Sequence, residues 1–414
     1  MSGRWAVGDQ TGQPFPADPA ALRDGGVAFL TKAFQAPVAE VTRCEEVSGG
    51  STGRKALLDV TYLTSQPDLA TDLFVKFSRD FDDPVRDHGR TQMESEVKFA
   101  MLSSTPAFPI VVPRTQFADY HRETGTGILI SERIQFGVDG IEAQHRKCLD
   151  YEMPHQADHY RALLTAIARL AGTHRSGRLP ARLTEQFPVD LQAAAVGEPP
   201  PMTPEKLQRR IARLAGFAQS HPHLLPDTVR SDEFLARLAA QAPVVLKHEP
   251  AIWRYLTGAK DYIALSHWNA NVDNAWFWTD SDGTLQCGLM DWGCVSQLNL
   301  AMAIWGAMSG AETGVWDNHF DDFAQLVCDE VYAARGPALD PAELQRQVLL
   351  YAALMGITWL LDVPALIRAR APRATRRTDP PIKDDEGVRA PLQMLTNVLN
   401  LWERSDLGAM LRLL

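Results

Sequence analysis

The chain lacks an uninterrupted apolar run of membrane-spanning length. Its most apolar stretch, Val348 to Leu361, is broken by polar or small residues and reads as a buried helix. The opening MSGRWAVGDQTGQPFPADPA has no apolar core of signal-peptide length. Together these readings give no indication of a membrane span. Cysteine is scarce. The five are Cys44, Cys148, Cys287, Cys294 and Cys328, none in a CxxC pair. Their odd number argues against a disulfide framework or a structural zinc site, and for a reducing cytoplasmic setting. Cys287 and Cys294 flank a candidate metal-binding segment and could form a disulfide across a hairpin, but buried free thiols are the simpler reading. Positive charge is also in deficit, with 41 Lys and Arg against 51 Asp and Glu and a net charge of −10. That balance argues against nucleic acid or an anionic membrane as a partner. Internal repeats and low-complexity tracts are absent.

What is present is ordinary globular material. Of 414 residues, 45% are hydrophobic and 22% charged, enough for a sizeable core in two or three domains or lobes. Residues 1–17 read as an extended arm, with Asp18 capping a helix that runs through Phe34. Val41–Val47, Ala56–Leu63 and Asp72–Phe77 read as short strands separated by turn-formers. Thr91–Ser103 reads as a helix, and strands follow at Thr115–Tyr120 and Gly127–Arg133. Beyond Gly137 the chain turns helical, with helices at Ala157–His174 and from Thr203. A third at Ser231–Gln241 follows the proline-rich Gly197–Met202 connection. Three short strands interrupt, at Tyr262–Leu265, Ala275–Thr279 and Leu285–Met290. Helices resume from Asn299, except for a charged and mobile loop at Pro372–Glu386. The fold class is therefore α+β, with a sheet part over 1–135 and a helical part over 136–414.

The richest segment is LSHWNANVDNAWFW followed by GLMDWG. A strand delivers His267, a polar loop runs from Trp268 to Asp273, and a hairpin returns to Asp291. This pattern sets Asn269, Asn274 and Asp291 at the ends of short strands. Magnesium takes few protein oxygens, the rest coming from phosphate and water, and an Asn with an Asp suits it.

The segment resembles the catalytic loop of the aminoglycoside phosphotransferases, choline kinases and related protein-kinase-like phosphotransferases. Their pattern is H-G-D, four residues and N, then D-W or D-F after a hairpin. Here it reads His267-Trp268-Asn269, four residues, Asn274, then Asp291-Trp292-Gly293. The Gly and the catalytic Asp are replaced. The resemblance extends from about Val41 to Trp305 and implies a two-lobed fold, an antiparallel sheet lobe before a helical one. It implies ATP and magnesium as cofactors and a small-molecule acceptor as partner. Gly49, Gly50 and Gly53 stand where a turn covers the nucleotide phosphates. Lys76 stands where a strand lysine meets them, and Glu96 where a helix glutamate orients that lysine. Ile130–Ile134, with Glu132, stands where the interlobe linker meets adenine. Asn274 and Asp291 stand at the metal positions. Singly, each piece has a plainer account: a glycine turn is usually a hairpin, a strand lysine usually faces solvent, and Glu94 competes with Glu96. Their order is the informative part.

In this family the Asp two residues after the His accepts the acceptor's proton. Asn269 can orient a hydroxyl but cannot act as a carboxylate base. Three readings follow: a phosphotransferase whose acceptor needs no base or uses Asp273, a pseudokinase that binds nucleotide or a small ligand, or a fold diverted to another transfer such as nucleotidylation or to a reaction needing no nucleotide. Trp268 could fill part of the acceptor pocket. The acidic stretch Glu312–Asp322 could attract a cationic acceptor, although a solvated helix face is the blander account. His145, His155 and His159 lack tight metal spacing and read as structural, and His174 reads as a packing or capping residue.

Overall fold

The computed structural model describes residues 4–50, 52–193 and 201–414, so residues 197–200 of the proline-rich connection lie outside the described residues. The chain forms two compact units. The first comprises 1–139, 179–187 and 288–295, and the second comprises 140–178, 188–287 and 296–414.

The first unit opens with a hairpin, β1 (Trp5–Val7) and β2 (Pro14–Pro16), in place of the expected extended arm. Its turn is held from outside. The fully buried Asp119 carboxylate accepts from the backbone N–H groups of Gln10 and Thr11 and from the Thr11 hydroxyl. A Cβ at Gly8 would lie 1.9 Å from Asp119 Oδ2, so this close approach requires glycine. Helix α1 (Pro19–Phe34) follows, capped by Asp18 as expected and opened by a proline that needs no N–H partner there.

Five strands form one antiparallel sheet: β3 (Val38–Val47), β4 (Arg54–Tyr62), β5 (Asp72–Phe77), β6 (Thr115–His121) and β7 (Thr126–Glu132). The spatial order is β3-β4-β5-β7-β6. Alternation places Ala56, Leu58 and Val60 of β4 and Leu73, Val75 and Phe77 of β5 in one core with Leu22, Phe29 and Leu30 of α1. The same alternation turns Lys55 and Lys76 to the opposite face, directly across from one another in the β4–β5 register. Between β5 and β6 lie α2 (Pro84–His88) and α3 (Met93–Ser103). Strand β7 runs through Glu132, so Ile130–Glu132, expected in a linker, belong to the strand. Ile128 and Ile130 are buried core residues of the strand.

The second unit contains α4 (Gln156–Arg175); the short α5 (Ala181–Thr184) belongs to the first. Then come α6 (Pro204–Ser220) and α7 (Asp232–Gly258). Helix α7 continues well past the expected Gln241. Pro243 and Pro250 each remove a backbone donor, but Leu238, Ala242, Val245, Ile252 and Leu256 keep one buried face along its length. Strand β8 (Ile263–His267) pairs with β11 (Val295–Asn299), and β9 (Ala275–Thr279) with β10 (Leu285–Leu289). Strand β11 was not anticipated from the sequence.

Helices α8 (Leu300–Met308), α9 (Thr313–Ala333), α10 (Pro341–Thr358), α11 (Val363–Arg370), α12 (Pro380–Lys383), α13 (Glu386–Arg404) and α14 (Leu407–Leu411) complete the unit. By length and composition Pro341–Arg370 could cross a membrane, yet 78% of its apolar window is buried inside the protein. Its Gln347 accepts from the buried Asn299 amide, as befits a core helix. The Pro372–Glu386 loop is pinned, contrary to expectation. Asp379 accepts from the backbone of Thr375 and Arg376, Arg377 pairs with Glu312 at 2.8 Å, and Arg370 pairs with Asp385 at 2.7 Å.

The fold class is the expected α+β, with an antiparallel sheet followed by helices. Cys44, Cys148 and Cys328 are free thiols.

Candidate functional site

In the first unit, three elements converge on one ammonium group. Lys76, on β5, donates to Glu96 Oε1 at 2.6 Å and to Asp291 Oδ1 at 2.7 Å. Burial works against its charge, but the Asp291 and Glu96 carboxylates outweigh it and push the lysine pKa upward. Glu94 is occupied elsewhere, by Lys98 at 3.0 Å and Arg122 at 2.6 Å, so the choice between the two glutamates falls on Glu96.

One face of α3 positions both carboxylates. Glu96 points to Lys76. Phe99, three residues later and so on the same side, stacks on Trp292 with centroids 3.8 Å apart and planes 13° apart. Trp292 donates to the Leu289 carbonyl at 3.0 Å, and Leu289 donates to the Val111 carbonyl at 3.0 Å. These contacts hold the Gly288–Val295 segment and with it Asp291, whose φ of 64° is the left-handed region that a non-glycine residue seldom occupies. Trp292 is therefore a packing residue under α3.

The glycine turn lies beside the lysines. Gly49, Gly50 and Gly53 have φ of 124°, 75° and 56°. A Cβ at Gly53 would lie 1.8 Å from the Phe77 carbonyl, and one at Gly50 would lie 2.3 Å from Lys55 Nζ. The turn is thus draped over Lys55. Its C-terminal end is tied to α2, where the Arg86 guanidinium donates to the Gly53 carbonyl. Lys55 escaped the sequence reading. Burial lowers its pKa, and neighbouring Lys76 lowers it further. Only the β4–β5 register shows that two lysines share this face. Glu132, at the end of β7, accepts from the Arg114 backbone N–H at 2.9 Å.

In the second unit, the polar loop after β8 is cross-braced by amides. The fully buried His267 accepts the Asn269 N–H on Nδ1 at 3.1 Å, which fixes the turn. Asn269 Oδ1 accepts from Asn271 Nδ2 at 2.8 Å and from Lys147 Nζ at 3.3 Å. Asn274 is buried and donates its Nδ2 to the Asn269 carbonyl at 2.8 Å, so Oδ1 is the atom it can offer a cation. Asp273 sits in a single 3₁₀ turn, Val272–Asn274, and its carbonyl accepts from Gln144 at 3.1 Å. Trp268 is half-buried and donates to the Tyr351 hydroxyl at 2.9 Å. A Cβ on Gly306 would lie 1.6 Å from the Trp268 carbonyl, so α8 needs glycine where the loop crosses it. His174 Nδ1 accepts from the Leu265 N–H, and burial pushes its pKa down to about 4, as suits a neutral packing residue.

The expected residues thus fall into two groups. Lys76, Glu96 and Asp291 meet in the first unit, beside the glycine turn and Lys55. His267, Asn269, Asp273 and Asn274 share one loop in the second. Asp291 and Asn274, paired in the sequence reading, belong to different units.

No family model matches the sequence, and no curated protein matches it. Its structural neighbours are small-molecule kinases. The microcompartment-associated aminopropanol kinase matches over 93% of this chain and 100% of its own, at 15% identity and a TM-score of 0.46. Choline kinase from Cryptosporidium parvum Iowa II matches over 90% and 92%, at 9% identity and 0.46. The GDP complex of wild-type aminoglycoside 2'-phosphotransferase-IIIa matches over 91% and 98%, at 15% identity and 0.42.

Proposed function

We propose that the protein is a nucleotide-dependent phosphotransferase acting on a small-molecule hydroxyl, with an amide in place of the usual catalytic carboxylate. The observation that carries this reading is the Lys76 ammonium fixed between Glu96 and Asp291. A buried lysine held by two carboxylates from separate elements is a costly arrangement for scaffolding alone, and it suits the grip on a nucleotide phosphate. Lys55 adds a second cation on the same sheet face, and the backbone of Gly49, Gly50 and Gly53 covers the phosphates. Glu132 lies at the strand end that leads to the adenine linker.

Magnesium takes hard oxygen ligands. The Asp291 carboxylate and the Asn274 amide oxygen are each of that type, and a bound ion would supply neutralisation of phosphate charge. His267 holds the loop turn. Asn269 orients the acceptor hydroxyl through its amide, and Asp273 is the nearest carboxylate in sequence to serve as a base. Transfer through a loose transition state depends mainly on positioning and electrostatics, so losing a base slows the reaction without abolishing it.

A cationic acceptor fits the second unit. Among the described residues, Asp150 Oδ1 and Glu312 Oε1 are buried acceptor atoms without a hydrogen-bond partner, while Glu312 Oε2 pairs with Arg377. Burial raises the Asp150 pKa to about 7 against the pull of the Tyr160 hydrogen bond, and Glu312 and Asp273 raise it further. A bound ammonium would relieve that accumulation of negative charge.

The second reading is a pseudokinase that binds nucleotide without transfer, and Asn269 favours it. Calorimetry with ATP, with and without magnesium, separates nucleotide binding from none. Metal-dependent binding that is lost in Asp291→Asn is expected, and no binding to the wild type would overturn both readings. An acceptor screen for ADP release then divides enzyme from pseudokinase.

A further inference from the structure

Away from the loop residues, three ligand-type side chains in the second unit point at one spot. His145 Nε2 lies 2.9 Å from Glu142 Oε2, and His159 Nε2 lies 2.8 Å from the same oxygen. All three ligand atoms lie within 4.8 Å of one another. The spacing in sequence hid this convergence, because His145 and His159 lie on different elements and only the fold brings their rings to 5.0 Å. His155, grouped with them on sequence, contributes its backbone instead.

Each ligand is fixed from behind. The Glu142 N–H donates to the Phe277 carbonyl of β9 at 2.9 Å, next to the bridge between Ile141 and Trp278. His159 is buried on α4, with Phe277 packed against its ring at 4.7 Å. Its Nδ1 faces the His155 carbonyl at 3.1 Å. A carbonyl only accepts, so Nδ1 carries the proton, and in the neutral tautomer Nε2 would present its lone pair to the carboxylate. Two acceptors cannot face one another at 2.8 Å without a cation between them. Either a second proton or a metal ion meets the need. The backbone carbonyl behind His159 is the arrangement by which protein metal sites fix the tautomer of a ligating histidine.

The geometry points to a divalent transition-metal site of the zinc class, formed by His145 Nε2, His159 Nε2 and the Glu142 carboxylate. Two imidazoles and one carboxylate are a donor set that zinc accepts, and three protein ligands leave a fourth position for water or a small ligand. Ligands about 2.1 Å from a tetrahedral ion are separated by roughly 3.4 Å. Oxygen and nitrogen must therefore draw apart by about half an ångström. Glu142, one-third exposed, has the freedom to do so, and the 18%-exposed His145 leaves a path for entry. The site would fasten the stretch before α4 to β9. Lys147, two residues after His145, contacts Asn269, so occupancy would also steady that loop. This proposal does not depend on the nucleotide reading.

The test uses the full chain stripped with a chelator and titrated with zinc chloride by calorimetry, with melting followed in parallel. The wild type is expected to bind one equivalent that His145→Ala lacks, and zinc should raise the melting temperature of the wild type alone. Glu142→Gln, which keeps the shape of the side chain, serves if His145→Ala fails to fold, and it should weaken zinc binding at least about tenfold. Cobalt in place of zinc should give tetrahedral visible absorption that both variants lose. No zinc binding by the wild type, or equal binding by wild type and variants, would overturn the proposal and leave His159 held as an imidazolium by a proton.

Discussion

In the sheet unit, Lys76 is fixed by opposite charges that arrive from two other elements. In the helical unit, Asn269 is fixed by neighbouring amides and one lysine. The first arrangement concentrates charge where little water reaches, since the Lys76 and Glu96 side chains are only 14% and 9% exposed. The second spreads its bonding over a loop with no carboxylate at its centre. On the proposed reading, gripping an anion and moving a proton are separate tasks with separate hardware, and Asn269 stands only in the second. A phosphate grip can outlive the loss of a base because it relies on fixed charge.

Removing the grip should have the largest effect. Lys76→Met is expected to weaken magnesium–ATP binding by at least about 100-fold and to destabilise the fold by about 3 kcal/mol, because Glu96 is left buried without its cation. Calorimetry and denaturant melts check both, and unchanged nucleotide affinity would break the comparison. Asn269→Asp asks the converse. If only the base is missing, turnover with a competent acceptor should rise by about 10²-fold and acquire an acidic limb in its pH profile. An unchanged rate would place proton removal elsewhere.

Lys55→Met sharpens the assignment on the sheet side. Nucleotide affinity should fall by about tenfold, or roughly 1.4 kcal/mol, while the melting temperature stays level or rises, because a lysine disfavoured by burial and by Lys76 is gone. A fall in stability with unchanged affinity would make Lys55 structural.

The smallest expected effect concerns Asp150, which faces Tyr160, Glu312, Asp273, Cys148 and Arg377. Its folded pKa of about 7 lies above the ordinary value of 3.8. Between those values the folded state binds more protons than the unfolded state, so stability falls as pH rises through this window and stays reduced above it. Asp150→Asn should flatten that slope and add on the order of 1 kcal/mol at pH 8. Thermal melts between pH 4 and pH 8 read it directly.

Much of the sheet unit was legible. β5 begins and ends where alternation placed it, the Asp18 cap emerged from local pattern, and the Lys76–Glu96 ion pair is one that the family resemblance implied. The misses share a cause. The hairpin at Trp5–Pro16 depends on Asp119, more than a hundred residues later. Helix α7 survives its prolines because of a buried face that only packing creates. Lys55 becomes a neighbour of Lys76 only through strand register, and the two histidines meet only through the placement of α4 against β9.

By itself the sequence determined which residues carry charge, which alternate and which can turn, since those properties reside in a few consecutive side chains. Tertiary structure decided which of them meet. Contacts between distant segments form only when several elements bury apolar surface together, and no local period records that outcome.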